Sequence, residues 1–162
     1  MIFFNFMLYE QNLEIIENFD IYDVINYYEQ KHKIPKGLLK AIMLVESDGR
    51  RFAVFGGEKS YFFKQEKDAV ELVKKLESSG YTNINVGYMQ INLQHHRKEL
   101  PMISDFFSPF HNVNYAAKYL KLLHKRFNSW KRAVGFYHAG SKSEFYNAYM
   151  EKLSKHIDIN KL

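Results

Sequence analysis

Apolar residues recur along most of this chain at helical spacing, and the breaks between the runs are short. Residues 10–31 carry Leu13, Ile16, Ile21, Val24, Ile25 and Tyr28 on one face, with Asp20 placed to cap a second helix inside that span. Pro35 suits the first turn of the next helix, in which Leu38, Leu39, Ile42, Met43 and Val45 form an apolar run. Gly49 is a natural stop for it. Arg50 to Phe63, with Gly56-Gly57, reads as a loop or a short hairpin. Residues 66–79 are a clear amphipathic helix with Ala69, Val70, Val73 and Leu76 inward, ended by Gly80.

The second half has the same character. Asn112 can cap a helix striped by Val113, Ala116, Ala117, Leu120, His124 and Phe127. After Asn128-Ser129, Trp130, Ala133, Val134 and Tyr137 share a face, and Gly140 ends that run. Ser141 or Ser143 can cap a last helix with Phe145, Tyr146, Tyr149, Met150 and Leu153 inside. The expected fold is therefore mainly α, six or seven helices in one domain, with at most a small β element.

Two stretches depart from regular periodicity in ways that matter. Glu46 follows the apolar run, four residues after Ile42 and eight after Leu38, which sets it at the edge of the buried face at the helix end. Desolvation and the negative end of the helix dipole both disfavour a charged carboxylate there, which suits a general acid. Residues 83–92, Asn83-Ile84-Asn85-Val86-Gly87-Tyr88-Met89-Gln90-Ile91-Asn92, are uncharged and rich in side-chain amides. They fit neither an amphipathic helix nor a clean strand. Such a segment suits a groove that hydrogen-bonds a neutral ligand such as a sugar, or a buried loop whose amides satisfy its own backbone.

Composition narrows the chemistry. The absence of cysteine removes disulfides, thiolate metal sites and cysteine nucleophiles. His95-His96 lacks a metal-binding pattern and reads as surface, so neither a metal nor any other cofactor is expected. A net charge of +5, spread along the chain, fits a solvated basic surface or attraction to a polyanion such as an acidic wall polymer, anionic lipid or nucleic acid, and charge by itself does not choose among them. No helix concentrates its basic residues on one face, which argues against nucleic acid. Fourteen Phe, twelve Tyr and one Trp give a 17% aromatic share, more readily explained by a core than by a stacked groove. The apolar start, Met1 to Leu8, is too short to span a bilayer and lacks the marks of an export signal.

Three stretches taken together, Glu46-Ser47, Gly87-Tyr88-Met89-Gln90-Ile91-Asn92 and Phe136-Tyr137-His138-Ala139-Gly140, resemble the signatures of the soluble lytic transglycosylase family, the goose-lysozyme-like enzymes that cut peptidoglycan. The family's usual forms are E-S, G-L-M-Q-I and A-Y-N-A-G, in this order. The inserted helix at 66–79 and the Trp130–His138 run resemble the branch attached to secretion and conjugation systems. The resemblance implies a catalytic domain over residues 31–162, with residues 1–30 as a helical extension packed on it. It implies a lysozyme-like helical fold, a periplasmic or exported location, peptidoglycan glycan strands as partner, contact with secretion or conjugation machinery, and a monomer without a transmembrane segment.

Carried over residue by residue, the resemblance makes Glu46 the catalytic acid/base and Tyr137 the tyrosine whose hydroxyl approaches it. Ser47, Tyr88, Met89, Gln90, Asn92 and His138 become substrate-binding positions. Tyr88 and His138 stand where the family usually has leucine and asparagine, and the usual asparagine-proline after E-S is replaced by Asp48-Gly49. Ordinary glycosidases use two carboxylates. Asp48 lies about 200° round the helix from Glu46, and nothing orients Glu58 or Glu66. A one-carboxylate route fits this pattern better, and the resemblance implies that it ends in a 1,6-anhydromuramic product. A hydrolytic muramidase and an inactive wall-binding assembly factor are the alternatives.

Overall fold

The computed structural model describes residues 20–162. Leu13, Ile16 and the start of the expected N-terminal extension lie outside the described residues. Seven α-helices and one small antiparallel sheet make up the described chain, as the periodicity predicts.

The first helix, α1 (Ile21–His32), is capped by the Asp20 side chain, which accepts from the Tyr22 N–H. It buries Val24, Ile25, Tyr28 and Glu29. The next helix, α2 (Leu38–Ser47), is the centre of the molecule. Leu38, Leu39, Ala41, Ile42 and Met43 are all 0% exposed, so this helix is enclosed nearly all round. It starts three residues after Pro35, later than the sequence suggests. Gly37 stands before it in a left-handed conformation, φ 85°, so Lys36-Gly37 form a turn in which the Pro35 carbonyl accepts from Leu38 N–H.

Gly37 cannot cap α2 with a side chain, and the buried Glu29 carboxylate does so instead. It accepts from Gly37 N–H at 2.7 Å and Leu39 N–H at 2.8 Å, with a longer contact of 3.4 Å to Lys40 N–H. Burial raises the Glu29 carboxyl above its ordinary value, against the opposing pull of these N–H groups. One acid thus satisfies the otherwise orphaned amides of the helix that carries Glu46.

The sheet has strand order β2-β1-β3-β4, formed by β1 (Ala53–Gly56), β2 (Lys59–Phe62), β3 (Asn85–Val86) and β4 (Ile91–Asn92). Gly57 and Glu58 both have positive φ, the geometry of a tight two-residue hairpin turn. Between the strand pairs, α3 (Glu66–Ser78) buries Ala69, Val73 and Leu76, as its pattern predicts. A short α4 (Leu93–His96) follows β4 with Asn92 as its cap.

The long α5 (Pro109–Phe127) runs against α1 and α6 (Trp130–Ala139). Its cap is Ser108, with Pro109 in the first turn, rather than the expected Asn112. Asn112 is completely buried inside the helix, where its amide serves another purpose described below. The last helix, α7 (Tyr146–Ser154), follows a 3-10 turn over Ser143–Phe145, so no serine caps it directly. Tyr149, Met150 and Leu153 are buried as expected, but Phe145 is 51% exposed because it falls in that turn. Among the described residues, no helix is long and apolar enough to cross a membrane.

Replacing Glu29 with Ala should strand two or three buried N–H groups and lower stability by about 3 kcal/mol, or roughly 6–12 °C in Tm. Glu29→Gln, which keeps an acceptor, should cost about half as much. Thermal and urea unfolding of the three proteins measures both.

Candidate active site

The enclosed helix α2 ends in Glu46 and Ser47, and the two side chains take different directions. Ser47 is buried, and its hydroxyl donates to the carbonyl of Tyr88 at 2.7 Å, with a longer contact of 3.2 Å to the carbonyl of Met43. Glu46 lines an open groove, with its side chain 13% exposed. The helix stops there because Asp48 adopts the left-handed conformation, φ 55°, followed by Gly49 at φ 69°.

The turn between β3 and β4, Gly87 to Gln90, forms one wall of the site. It is held by its carbonyls. Gln90 donates from Nε2 to Gly87 O at 3.0 Å, Ser47 to Tyr88 O, and the Tyr137 hydroxyl to Met89 O at 2.8 Å. From below, Asn112 accepts from Met89 N–H at 2.9 Å and donates to Phe106 O at 2.7 Å and Val86 O at 3.3 Å. Those three bonds use both N–H groups and the oxygen of this buried amide. Gly87 has φ 80°, and a Cβ there would lie 2.2 Å from Phe106 O and 2.5 Å from Asn112 Nδ2. Only glycine fits.

The groove has a volume of ≈ 590 Å³. Asn92 Nδ2 donates to Asn83 Oδ1 at 3.0 Å and Asn85 Oδ1 at 2.8 Å, forming a run of amides along one side. Another part of the lining is aromatic. The Tyr115 hydroxyl meets His96 Nδ1 at 2.6 Å, Tyr119 packs on the His96 ring with centroids 5.0 Å apart, and Tyr119 also touches Tyr137. Burial, helped by neighbouring His95, lowers His96 to about 4. Burial likewise pushes Tyr115 up to about 12. His96 is therefore a neutral member of the groove wall and not the surface residue expected of it. His95 is exposed, at the groove's edge.

Around Glu46 stand three partners. His138 Nδ1 is 3.2 Å from Glu46 Oε1. Tyr137 and Tyr149 are both held well above their ordinary phenol value, by burial first and by the charge of Glu46 second. They remain neutral hydroxyls beside the carboxylate. The Tyr137 hydroxyl is bonded to Met89 O rather than to Glu46 itself. The Tyr149 hydroxyl is turned toward Glu46 and interacts with it, short of full hydrogen-bond geometry.

The structure thus brings Glu46, Tyr137, Gln90, Asn92 and His138 together on the groove. Ser47, Tyr88 and Met89 are not on its surface. Ser47 and Met89 are buried, and half-buried Tyr88 packs against the core. Their contribution is to place the wall. Tyr149, which its spacing marks only as a core position, also approaches Glu46. The signal was available: an inward-facing phenol needs a polar partner, the same argument that singled out Tyr137. Asn112 was missed for a similar reason, since an asparagine near a helix start reads first as a cap.

Glu46 is the only carboxylate among the described residues that line the groove; Asp48, Glu58 and Glu66 do not reach it. Among the described residues, no group of three His, Cys, Asp or Glu side chains is placed to hold a metal ion.

A family model described as the transglycosylase SLT domain matches residues 23–158. Comparison with curated proteins and with solved structures returns no match. The matched span holds Glu46, the Gly87–Gln90 turn, Tyr137 and Tyr149 alike, and nearly all of the described fold. The chain belongs to the transglycosylase SLT domain family, and with it to the proteins that carry lytic-transglycosylase-type activity on peptidoglycan.

Proposed function

We propose that this protein cleaves the β-1,4 bond between N-acetylmuramic acid and N-acetylglucosamine and releases a 1,6-anhydromuramic acid end. The observation that carries the reading is the carboxylate of Glu46, set among neutral phenols, with no second acid among the described residues that line the groove to act as nucleophile or to activate water.

Glu46 serves twice. As the acid it gives its proton to the glycosidic oxygen while the bond from that oxygen to the muramyl anomeric carbon breaks. The carboxylate then takes the proton of the muramyl 6-hydroxyl as that oxygen attacks the same carbon. One proton leaves Glu46 and one returns, and water is not consumed. Tyr149, its proton held by burial and by the nearby carboxylate, faces Glu46 as a neutral hydroxyl, while Tyr137 stands beside Glu46 with its own proton given to Met89 O. The amides of Gln90 and Asn92 and the rings of Tyr115 and Tyr119 offer the polar and apolar surfaces that a sugar presents to a groove.

The acidic wall polymer also suits the net charge of +5. Such a substrate implies a wall-facing, periplasmic or exported location. The resemblance of residues 66–79 and Trp130–His138 to the secretion and conjugation branch supports local wall opening for a transenvelope machine as its setting.

Digestion of purified peptidoglycan, with the muropeptides identified by mass, tests the reading. The wild type should release anhydromuropeptides, and Glu46→Gln should reduce release by about 10²–10⁴-fold. Products with free reducing ends would identify a hydrolytic muramidase, and wall binding without release by the wild type would identify a binding factor. Tyr137→Phe should lose the bond to Met89 O, cost about 1 kcal/mol of stability and slow release roughly five-fold. An unchanged rate would give that hydroxyl a structural role only.

A further inference from the structure

The stretch Phe136-Tyr137-His138-Ala139-Gly140 has histidine where the resembling families usually have asparagine, and the geometry gives that difference a consequence. His138 lies one residue before the end of α6. Its ring lies flat on the buried ring of Tyr149, with centroids 4.0 Å apart and 13° between the planes. Its Nδ1 is 3.2 Å from Glu46 Oε1. The stack fixes the plane of the imidazole, and the contact with Glu46 fixes its direction. The His138 side chain is 36% exposed and that of Glu46 13%. The pair therefore sits where the groove opens, and His138 can exchange a proton with solvent.

The titratable and charged groups facing the pair come from every element around it. Tyr149 comes from α7, Tyr137 from α6 itself and Lys142 from the turn after α6. His95 and His96 on α4, and Tyr115 and Tyr119 on α5, also line the groove. Glu46 is the one anion among the described residues that line the groove. A proton taken by His138 therefore acts on Glu46 before anything else.

We propose that His138 is a positioning residue for Glu46, one that holds a single carboxyl oxygen through Nδ1–H and leaves the other free to carry the proton that goes to the substrate. When His138 itself becomes protonated, the imidazolium holds Glu46 as the carboxylate and withdraws it from the acid form. An asparagine would hold the same oxygen through a neutral amide. The histidine adds a positive charge whenever it takes up a second proton. The proposal rests on the reading of Glu46 as the acid/base.

Two measurements test it. The first needs no substrate: the His138 ring is titrated by NMR in the wild type and in Glu46→Gln. The midpoint should fall by about one unit in the variant, because the carboxylate that favours the imidazolium is gone. An unchanged midpoint overturns the proposal, whatever the protein does to peptidoglycan.

The second compares anhydromuropeptide release at about pH 8 and about pH 6. The rate of His138→Asn relative to wild type should rise several-fold toward pH 6, since the asparagine keeps the hydrogen bond without the charge. A constant ratio overturns the proposal. His138→Phe, which can keep the stack on Tyr149 but not the donor, should lower kcat about ten-fold with KM unchanged. A raised KM with unchanged kcat would make His138 a sugar contact and overturn it as well. Failure of the wild type to release anhydromuropeptides would count against the catalytic reading and would leave the NMR result to decide the pairing.

Discussion

The site depends on three carbonyl oxygens in a row. Gly87, Tyr88 and Met89 each present one, and each is held by a different side chain: Gln90, Ser47 and Tyr137. Those donors come from three distant parts of the chain. The turn is thereby tied to the end of α2, to α6 and to itself, while Asn112 of α5 secures it from beneath. A turn with glycine at φ 80° and glutamine at φ 45° would not hold this shape unaided. It stays because its polar backbone has nowhere else to go once buried.

That constraint explains why the carboxylate can be so exactingly placed at a helix end. Helix α2 is enclosed on nearly every side, its first amides are satisfied by Glu29, and its last residues are tied to the turn through Ser47. Glu46 is the one side chain of its final turn that lines the groove. Glu46 thus has a packed helix behind it and an open groove in front.

The aromatic residues divide between two tasks. Phe106 and Phe107 are fully buried and fill the core. Tyr115, Tyr119 and Tyr137 form a wall with His96, and Tyr149 connects both regions, its ring in the core and its hydroxyl toward Glu46. A core role, the one composition favours, thus describes only part of this set. A tyrosine can serve both because one end is apolar and the other a hydrogen-bonding group.

Much of this was legible in the chain itself. The apolar spacing determined the helices, since burying one face is a local demand that each segment states in its own sequence. It also put Glu46 at the edge of a core helix and Tyr137 on an inward face, and the three short stretches marked the family. The sequence left open the start of α2, the role of Asn112, the direction of Tyr149 and the division of Ser47, Tyr88 and Met89 from the groove. These were decided by the tertiary structure. The placing of Ser47, Tyr88, Met89 and Asn112 turns on hydrogen bonds between groups far apart in sequence, Ser47 with Tyr88 and Asn112 with Met89. Periodicity reports which face of a helix is buried, but the partner that satisfies a buried polar atom exists only once the elements have packed.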